Sequence, residues 1–232
     1  MSELKFGIIG ASGKVGKEIT ALLIEKKLIP FLGIYGSNEP TNFTHKAKEI
    51  DVNLAKQVDL WIDFSLPESF ERFIPIASKL GKPVVSGTTG LSDKQKIILR
   101  DASNHCPILW SANMSIGINV LLEAIESLKK VKHFDFQIEE FHHNKKKDSP
   151  SGTAVILQDK LLKTVEKEIP SPLSVRGGGI FGIHKIWSMS DQEIITFEHQ
   201  ALNRRVFAEG AIHAALQLSG KANGLYAMKD VL

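Results

Sequence analysis

The stretch from Lys5 to Gly16, which reads KFGIIGASGKVG, decides the fold. Its apolar run ends at Ile9 and predicts a buried strand, and a glycine-rich loop follows directly. Beyond the loop, Val15, Ile19 and Leu22 recur at the spacing of one helix face. Strand, glycine loop and helix in this order are typical of the first unit of a Rossmann-type α/β fold, which binds a dinucleotide at the loop.

The loop spaces its glycines as G-x-x-G-x-x-G, at Gly10, Gly13 and Gly16, rather than as the usual G-x-G-x-x-G. Glycine lets the backbone approach a pyrophosphate closely, and the amide groups at the start of the helix bind the anion. A glycine-rich turn without a ligand is the alternative. Residues 33–38, after the second predicted strand, contain neither Asp nor Arg, so the sequence does not choose between NADH and NADPH.

Short apolar strands alternate with helices through the first half of the chain. Ser92, with Gln95 three residues later, predicts a capped helix that extends to about Ala102. The further predicted strands are Phe31–Ile34, Val58–Phe64, Pro83–Ser86 and Pro107–Trp110. This alternation predicts a doubly wound parallel sheet.

The second half has a different order of elements, and the change falls near residues 111–117. The predicted helices are Ile118–Lys130, Gly152–Lys167 and Val206–Leu218, and the predicted strands are Phe134–Phe141, Leu173–Arg176, Ile183–Met189 and Glu193–His199. Strands that follow one another without intervening helices predict a second, α+β domain with a mixed or antiparallel sheet.

The composition excludes several classes of protein. Hydrophobic residues make up 43% and charged residues 24% of the chain, as in globular proteins rather than disordered or collagen-like ones. The net charge of +3 and the short basic run Lys145–Lys147 do not indicate a nucleic-acid partner. A single cysteine, Cys106, rules out an internal disulfide. With no signal peptide or membrane-spanning run in the sequence, we expect a cytoplasmic protein without a membrane partner.

The most informative stretch is residues 139–154, which read EEFHHNKKKDSPSGTA. It places two histidines and three lysines between a predicted strand and a helix that begins at Ser151 or Gly152. Lysines and helix amide groups attract carboxylates, and histidine transfers protons near neutral pH, so we expect a pocket for an anion that is protonated. A solvated basic loop and a His-His metal site are the alternatives, but carboxylate ligands at metal spacing are missing and we expect no metal. Further candidates to bind a substrate carboxylate are Arg176, His184, His199 and Arg204.

With these motifs, the chain resembles the 4-hydroxy-tetrahydrodipicolinate reductase family, also called dihydrodipicolinate reductase, along nearly its whole length. The motifs that carry the resemblance are Gly10–Gly16, Asp63–Ser65, Gly87–Gly90, Ser111–Asn119, Glu140–His143, Lys146, Asp148, Pro150–Ala154, Arg176, Gly182–His184, His199, Arg204, Phe207–Ala211 and Ser219–Lys221. The segment from the two histidines to Thr153 is highly specific, whereas the glycine loop is not.

The resemblance implies a homotetramer of two-domain chains. Residues 1–111 with about 207–232 would bind the dinucleotide, and residues 112–206 would form a substrate-binding and oligomerisation domain. The reaction would reduce (2S,4S)-4-hydroxy-2,3,4,5-tetrahydrodipicolinate, a small dicarboxylate, to 2,3,4,5-tetrahydrodipicolinate. It would use NADPH or NADH, release water, and belong to the diaminopimelate route of lysine biosynthesis.

The resemblance also assigns roles to single residues. The pyrophosphate of the cofactor would be held by Gly10, Ala11, Ser12, Gly13, Lys14 and Val15, and its nicotinamide by Gly87, Thr88, Thr89, Ser111, Ala112, Asn113 and Met114. His142 would donate or accept a proton, and Lys146 would donate a proton or stabilise developing charge. The substrate carboxylate would be bound by His143, Gly152 and Thr153. The chain departs from the family where Ser37 replaces a frequent acidic residue, which leaves the cofactor preference open.

Two other functions remain open from the sequence. One is another NAD(P)-dependent amino-acid dehydrogenase, such as an aspartate or a semialdehyde dehydrogenase. A semialdehyde dehydrogenase needs a nucleophilic cysteine, and we expect Cys106 to be buried and structural instead. The other is a non-catalytic dinucleotide-sensing module, which would bind the cofactor without turnover. The combination of His142, His143 and Lys146 argues against this second alternative.

Overall fold

The computed structural model describes residues 4–232, which form two units. The first unit comprises the described residues up to Ser115 together with Arg205–Leu232, and the second comprises Ile116–Arg204. From the sequence we expected the first domain to end at residue 111 and to resume at about residue 207.

The elements alternate along the chain and are numbered here in chain order. The strands are β1 (Lys5–Ile9), β2 (Ile29–Ile34), β3 (His45–Ala47), β4 (Leu60–Asp63), β5 (Val84–Ser86), β6 (Pro107–Trp110), β7 (Asp135–His142), β8 (Leu173–Arg176), β9 (Gly182–Met189), β10 (Ile194–Ala201) and β11 (Gly224–Tyr226). The helices are α1 (Lys14–Glu25), α2 (Val52–Ala55), α3 (Pro67–Ser78), α4 (Asp93–Ser103), α5 (Ile116–Ala124), α6 (Gly152–Val165) and α7 (Arg205–Leu218). Two 3₁₀ segments cover Ile125–Val131 and Met228–Asp230.

The first unit is built on a seven-stranded parallel sheet in the order β11-β6-β5-β4-β1-β2-β3. This confirms the predicted doubly wound sheet. The chain adds β2 and β3 on one side of β1 and then returns to add β4, β5 and β6 on the other. Such a reversal opens a crevice at the carboxyl ends of β1 and β4, where open α/β sheets bind their ligands.

Several elements of the first unit differ from the sequence prediction. No helix was predicted between Phe64 and Pro83, yet α3 forms there with Pro67 in its first turn and Pro75 in its interior. An internal proline removes one helical hydrogen bond, but α3 buries Phe70 and Ile74 completely, and this packing holds the helix together. The short strands β3 and β11 and the short helix α2 were also not predicted.

The second unit contains a four-stranded mixed sheet in the order β10-β9-β7-β8. β9 is antiparallel to both β7 and β10, and β8 is parallel to β7, as the mixed-sheet prediction allowed. Alternate residues of β7, including Phe136 and Ile138, face a core shared with Leu157 of α6. The helix predicted to reach Lys130 ends at Ala124 and continues as a 3₁₀ segment. None of the helices within residues 4–232 is both long enough and apolar enough to cross a bilayer.

Candidate active site

The glycine loop after β1 contacts the ends of both strands that flank β1, namely β2 and β4. The amides of Gly10 and Ala11 both donate to the Ile34 carbonyl at the end of β2, at 3.0 Å each. Gly10 has a φ of +83°, and a Cβ at this position would lie 2.4 Å from the Phe64 carbonyl oxygen after β4. Only glycine fits a left-handed backbone pressed this closely against another chain segment.

The start of α1 suits an anionic group. Gly13 is the N-cap and has no side chain to bind the first amide groups of the helix. A Cβ on Gly16 would lie 2.3 Å from the Gly10 carbonyl oxygen, so this glycine lets the helix begin directly against the loop. Uncapped amides at a helix N-terminus bind phosphate groups. The loop from Gly10 through Ala11 and Ser12 to Val15 therefore fits the pyrophosphate of a dinucleotide.

Asp63, at the carboxyl end of β4, organises the neighbouring loops. Its buried carboxylate accepts hydrogen bonds of 2.7 Å from the hydroxyls of Ser86 and Thr88, and one of 3.1 Å from the amide of Ser65. Burial raises the pKa of Asp63, although these donors act in the opposite direction. The network fixes the loop after β5 relative to the loop after β4.

A cavity of about 610 Å³ opens beside the glycine loop within the first unit. Its lining includes six of the residues expected to contact the cofactor, namely Lys14, Val15, Gly87, Thr89, Ala112 and Met114. Thr88 points away from the cavity into the Asp63 network, and its carbonyl accepts a hydrogen bond from Trp110 Nε1 at 2.9 Å. The Ser111 hydroxyl donates to the Asn113 carbonyl at 2.8 Å and shapes the loop rather than the cavity wall.

A second cavity, of about 230 Å³, lies on the other side of the loop at the ends of β1 and β2. Gly10, Tyr35 and Gly36 contribute to its wall, as do the charged side chains of Lys48, Glu49 and Arg72. Arg72 forms an ion pair with Glu49. The sequence analysis did not identify these three charged residues, because they lie on segments far from the glycine motif and meet only in the folded chain.

The histidine motif of the second unit lies at the end of β7. The side chains of Glu140 and His142 lie on the same face of β7 as the core residues Phe136 and Ile138, so both belong to the buried face of the strand. Strand register places His142 beside Arg176 of β8 and Glu140 beside His184 of β9. Four ionisable side chains are thereby brought together at one end of the sheet.

Glu140 is completely buried and both of its carboxylate oxygens are engaged. Arg176 donates to them from both terminal nitrogens, at 2.9 and 2.6 Å, and the Ser151 amide donates at 3.1 Å. His142 Nδ1 forms a short hydrogen bond to the same carboxylate. Burial alone would raise the pKa of Glu140, but the hydrogen bonds from Arg176 and His142 outweigh it and hold the pKa at about 2.

His142 is buried except for 8% of its surface. Burial lowers its pKa, Glu140 opposes that effect, and the charges of Lys146 and Arg176 lower the pKa further. A Cβ on Gly182 of β9 would lie 3.1 Å from His142 Nε2. The side of the ring opposite Glu140 therefore faces a position without a side chain.

His184 stands against His142, with ring centroids 5.2 Å apart in an edge-to-face arrangement. Its Nε2 lies 3.0 Å from the hydroxyl of Ser151, which also caps α6 by accepting from the Ala154 amide. Burial is the main cause that lowers the pKa of His184 to about 3, so this ring is neutral near pH 7. The ring therefore carries no positive charge near pH 7, and its buried Nδ1 has no hydrogen-bond partner within residues 4–232.

The other predicted site residues surround the start of α6. Lys146 Nζ pairs with the Asp148 carboxylate at 2.8 Å, and that partner lowers the pKa of Asp148. His143 Nδ1 is buried and has no hydrogen-bond partner within residues 4–232. Gly152 is exposed as the first residue of α6, and Thr153 follows it half-buried. The structure thus brings His143, Lys146 and the start of α6 to the same end of the unit as His142.

The structure also shows what surrounds Arg176, Arg204 and Cys106. Arg176 is committed to Glu140, and Arg204 lies over the Phe181 ring at 5.2 Å. Cys106 is completely buried, and burial raises its pKa to about 12. This confirms the structural reading of Cys106 and removes the nucleophile that a semialdehyde dehydrogenase requires. Within residues 4–232 no group of three or more His, Cys, Asp or Glu side chains could hold a metal ion.

Comparison with protein families covers both halves of the chain. Residues 4–114 match the family described as dihydrodipicolinate reductase, N-terminus, and residues 117–232 match dihydrodipicolinate reductase, C-terminus. The chain belongs to the dihydrodipicolinate reductase family. A member of this family from Bdellovibrio bacteriovorus, named 4-hydroxy-tetrahydrodipicolinate reductase, is 46% identical over 100% of this chain and 97% of its own length. A relative of the same name from Rickettsia canadensis is 38% identical over 98% of each chain.

A solved structure has a fold similar to that of this chain. Dipicolinate-bound dihydrodipicolinate reductase from Paenisporosarcina sp. TG-14 superposes with a TM-score of 0.84 over 99% of this chain and 100% of its own. The sequence identity is 21%, so this likeness supports the fold. The Rossmann-type sheet with a second mixed α+β unit is therefore the architecture of the family.

Proposed function

We propose that this chain is an NAD(P)H-dependent 4-hydroxy-tetrahydrodipicolinate reductase. It reduces (2S,4S)-4-hydroxy-2,3,4,5-tetrahydrodipicolinate to 2,3,4,5-tetrahydrodipicolinate, with oxidation of NADPH or NADH, uptake of a proton and release of water. The observation that carries the proposal is the 46% identity, over the full chain, to a protein of that name. The reaction belongs to the diaminopimelate route of lysine biosynthesis.

The first unit would hold the cofactor, which supplies the hydride when bound. The loop of Gly10, Ala11, Ser12, Gly13, Lys14 and Val15 would bind the pyrophosphate, because its glycines and the start of α1 form a cradle without side chains. Gly87, Thr89, Ala112 and Met114 would contact the nicotinamide through the cavity that they line. Thr88, Ser111 and Asn113 would support this wall through their hydrogen bonds to Asp63 and within the loop.

The second unit would handle the proton and the charge of the substrate. Hydride transfer adds negative charge to the substrate, and a nearby acid must neutralise it. His142 would exchange this proton, and Lys146 would donate a proton or stabilise the developing charge. His143, whose buried Nδ1 lacks a partner among the described residues, would bind a substrate carboxylate together with Gly152 and Thr153 at the start of α6.

The oxidation of NADH and of NADPH, followed by absorbance, tests this proposal. The substrate is generated in place from pyruvate and aspartate semialdehyde by the preceding synthase, and reactions without that synthase are the control. Oxidation that depends on the synthase establishes the reaction, and the two rates give the cofactor preference. If both cofactors bind and neither is oxidised, dinucleotide binding stands and the reductase proposal fails, which leaves another amino-acid dehydrogenase or a non-catalytic dinucleotide-sensing module.

The same proposal includes a homotetramer in the cytoplasm, where NADH and NADPH are available. The edge strands of the second unit expose apolar side chains that a self-association surface would cover. On β8, Leu173 and Val175 are 53% and 43% exposed, and on and just after β10, Ile194 and Leu202 are 59% and 77% exposed. Covering these side chains by self-association would remove apolar surface from water, which favours association.

A further inference from the structure

Glu140 has no direct role in the proposed reaction, yet it is the most completely engaged charged side chain of the His142 neighbourhood. Its exposure is 0%, and its two oxygens accept from Arg176, Ser151 and His142. We propose that Glu140 is a positioning residue that keeps the hydrogen of the neutral His142 ring on Nδ1, so that Nε2 is the nitrogen that exchanges the proton. This inference rests on the proposed reductase function.

Glu140 only accepts hydrogen bonds. The Arg176 guanidinium donates to both of its oxygens, and the carboxyl has a pKa of about 2. An ionised carboxylate cannot donate, so the shared hydrogen in its contact with His142 belongs to Nδ1. A carboxylate behind a histidine fixes both the tautomer and the orientation of the ring in this way.

The other ring nitrogen of His142, Nε2, has different surroundings from Nδ1. Nε2 faces Gly182, where a side chain beginning with Cβ would lie only 3.1 Å away. His184, which packs edge-on against the ring, is neutral near pH 7 and has its own Nε2 at the Ser151 hydroxyl. The ring is therefore hydrogen-bonded to Glu140 through Nδ1, whereas Nε2 faces a glycine and has no side-chain partner among the hydrogen bonds described.

The charges near His142 shift its pKa in opposite directions. The charged groups around the ring are Glu140 on β7, Lys146 in the loop after β7 and Arg176 on β8, and the facing group on β9 is His184. Glu140 raises the pKa of His142, whereas Lys146 and Arg176 lower it. Removal of the Glu140 charge leaves Lys146 and Arg176 unopposed, so the pKa of His142 must fall. The limb of the kcat/KM pH profile that reports this pKa must therefore move to lower pH.

The tautomer is measured on the full-length wild-type protein without any turnover. Imidazole nitrogen resonances of a ¹⁵N-histidine sample are recorded above the pKa of His142, and a His142→Gln sample identifies the signals of that ring among the eight histidines. We expect the neutral ring to carry its hydrogen on Nδ1. A neutral ring with its hydrogen on Nε2 would overturn the inference, and this result is independent of whether the reductase assay succeeds.

Glu140→Gln tests the consequence, with Glu139→Gln as the matched control. Glu139 is the adjacent carboxylate on the opposite face of β7, where it accepts from Trp187 Nε1 at 2.8 Å. For Glu140→Gln we expect kcat to fall about 10²- to 10⁴-fold, because a misplaced ring loses the contribution of a positioned acid or base, with KM for the cofactor unchanged. The pH limb of kcat/KM should move to lower pH in Glu140→Gln and stay in place in Glu139→Gln. An unshifted limb in a folded Glu140→Gln protein would contradict the positioning role. If this variant does not fold, the ¹⁵N measurement of the tautomer in the wild-type protein tests the inference instead.

Discussion

At the scale of single residues, the proposed proton transfer depends on His142. Its replacement by Gln keeps a polar side chain but removes the ring nitrogen that exchanges the proton. We expect turnover to fall about 10²- to 10⁴-fold, the usual contribution of a positioned acid or base, while the dissociation constant for NADPH, measured by fluorescence titration, stays the same. His133→Gln is the control, because that ring is exposed in the same unit. Unchanged turnover in His142→Gln would remove His142 from the mechanism.

Thr88 supports the wall of the proposed cofactor cavity through the hydrogen bond that its hydroxyl donates to Asp63. Thr88→Val keeps the shape but leaves the buried Asp63 carboxylate without one of its three donors. We expect the free energy of unfolding to fall by about 1–3 kcal/mol, the cost of an unsatisfied buried polar group, as measured by urea denaturation. The neighbouring exposed Thr89 offers a matched comparison, since Thr89→Val should leave stability within about 0.5 kcal/mol. Equal losses in both variants would argue against the Asp63 network.

At the scale of elements, we expect the glycine loop and α1 to act as one anion-binding unit. A Cβ on Gly13 would lie 3.1 Å from the Gly10 carbonyl oxygen, so a branched side chain must displace the loop or occupy the space of the pyrophosphate. We expect Gly13→Val to weaken NADPH binding about tenfold or more, which corresponds to at least about 1.4 kcal/mol. Gly179→Val, at a position where a Cβ meets nothing within 4 Å, should bind normally. Normal affinity of Gly13→Val in a binding titration would show that the cofactor binds elsewhere.

The cofactor preference should be set by elements remote from the glycine motif. Lys48 after β3 and Arg72 on α3 line the cavity at the ends of β1 and β2, where a dinucleotide places its adenosine ribose. With Glu49 as the only carboxylate in that wall, the cavity has a net positive charge that favours a 2′-phosphate. We expect 2′,5′-ADP to bind more tightly than 5′-AMP by calorimetry, and Arg72→Gln to reduce this difference. Arg100→Gln, an exposed change on α4, is the control, and tighter binding of 5′-AMP would disprove the preference.

At the scale of the whole molecule, self-association should depend on the second unit. Analytical ultracentrifugation of the wild-type protein should give the mass of four 25.6 kDa chains. A lysine at Ile194, on edge strand β10, would place a charge in the proposed contact and should shift the protein to smaller species. Ile97→Lys, at an equally exposed apolar position of α4, should leave the tetramer intact. A wild-type monomer would contradict the tetramer without affecting the proposed reaction.

Some elements of the first unit could be predicted from the sequence, whereas α3 and β11 could not. The capped helix at Ser92 and the strand Pro107–Trp110 were predicted correctly because short-range signals define them. Helix α3 was missed because its interior Pro75 is a local signal against helix, and burial of Phe70 and Ile74 outweighs it only in the folded protein. Strand β11 was missed because three residues carry almost no periodicity, and its pairing with β6 joins segments far apart in the chain.

The sequence by itself determined the class of fold, the family and the motif residues, because glycine spacing, hydrophobic period and the histidine segment are local properties of the chain. Only the tertiary structure decided what those residues touch. It placed the Arg176 guanidinium against Glu140, turned the Thr88 hydroxyl towards Asp63, and packed His184 against His142. Strand register and burial fix these partners, and both depend on contacts between residues that are distant in sequence.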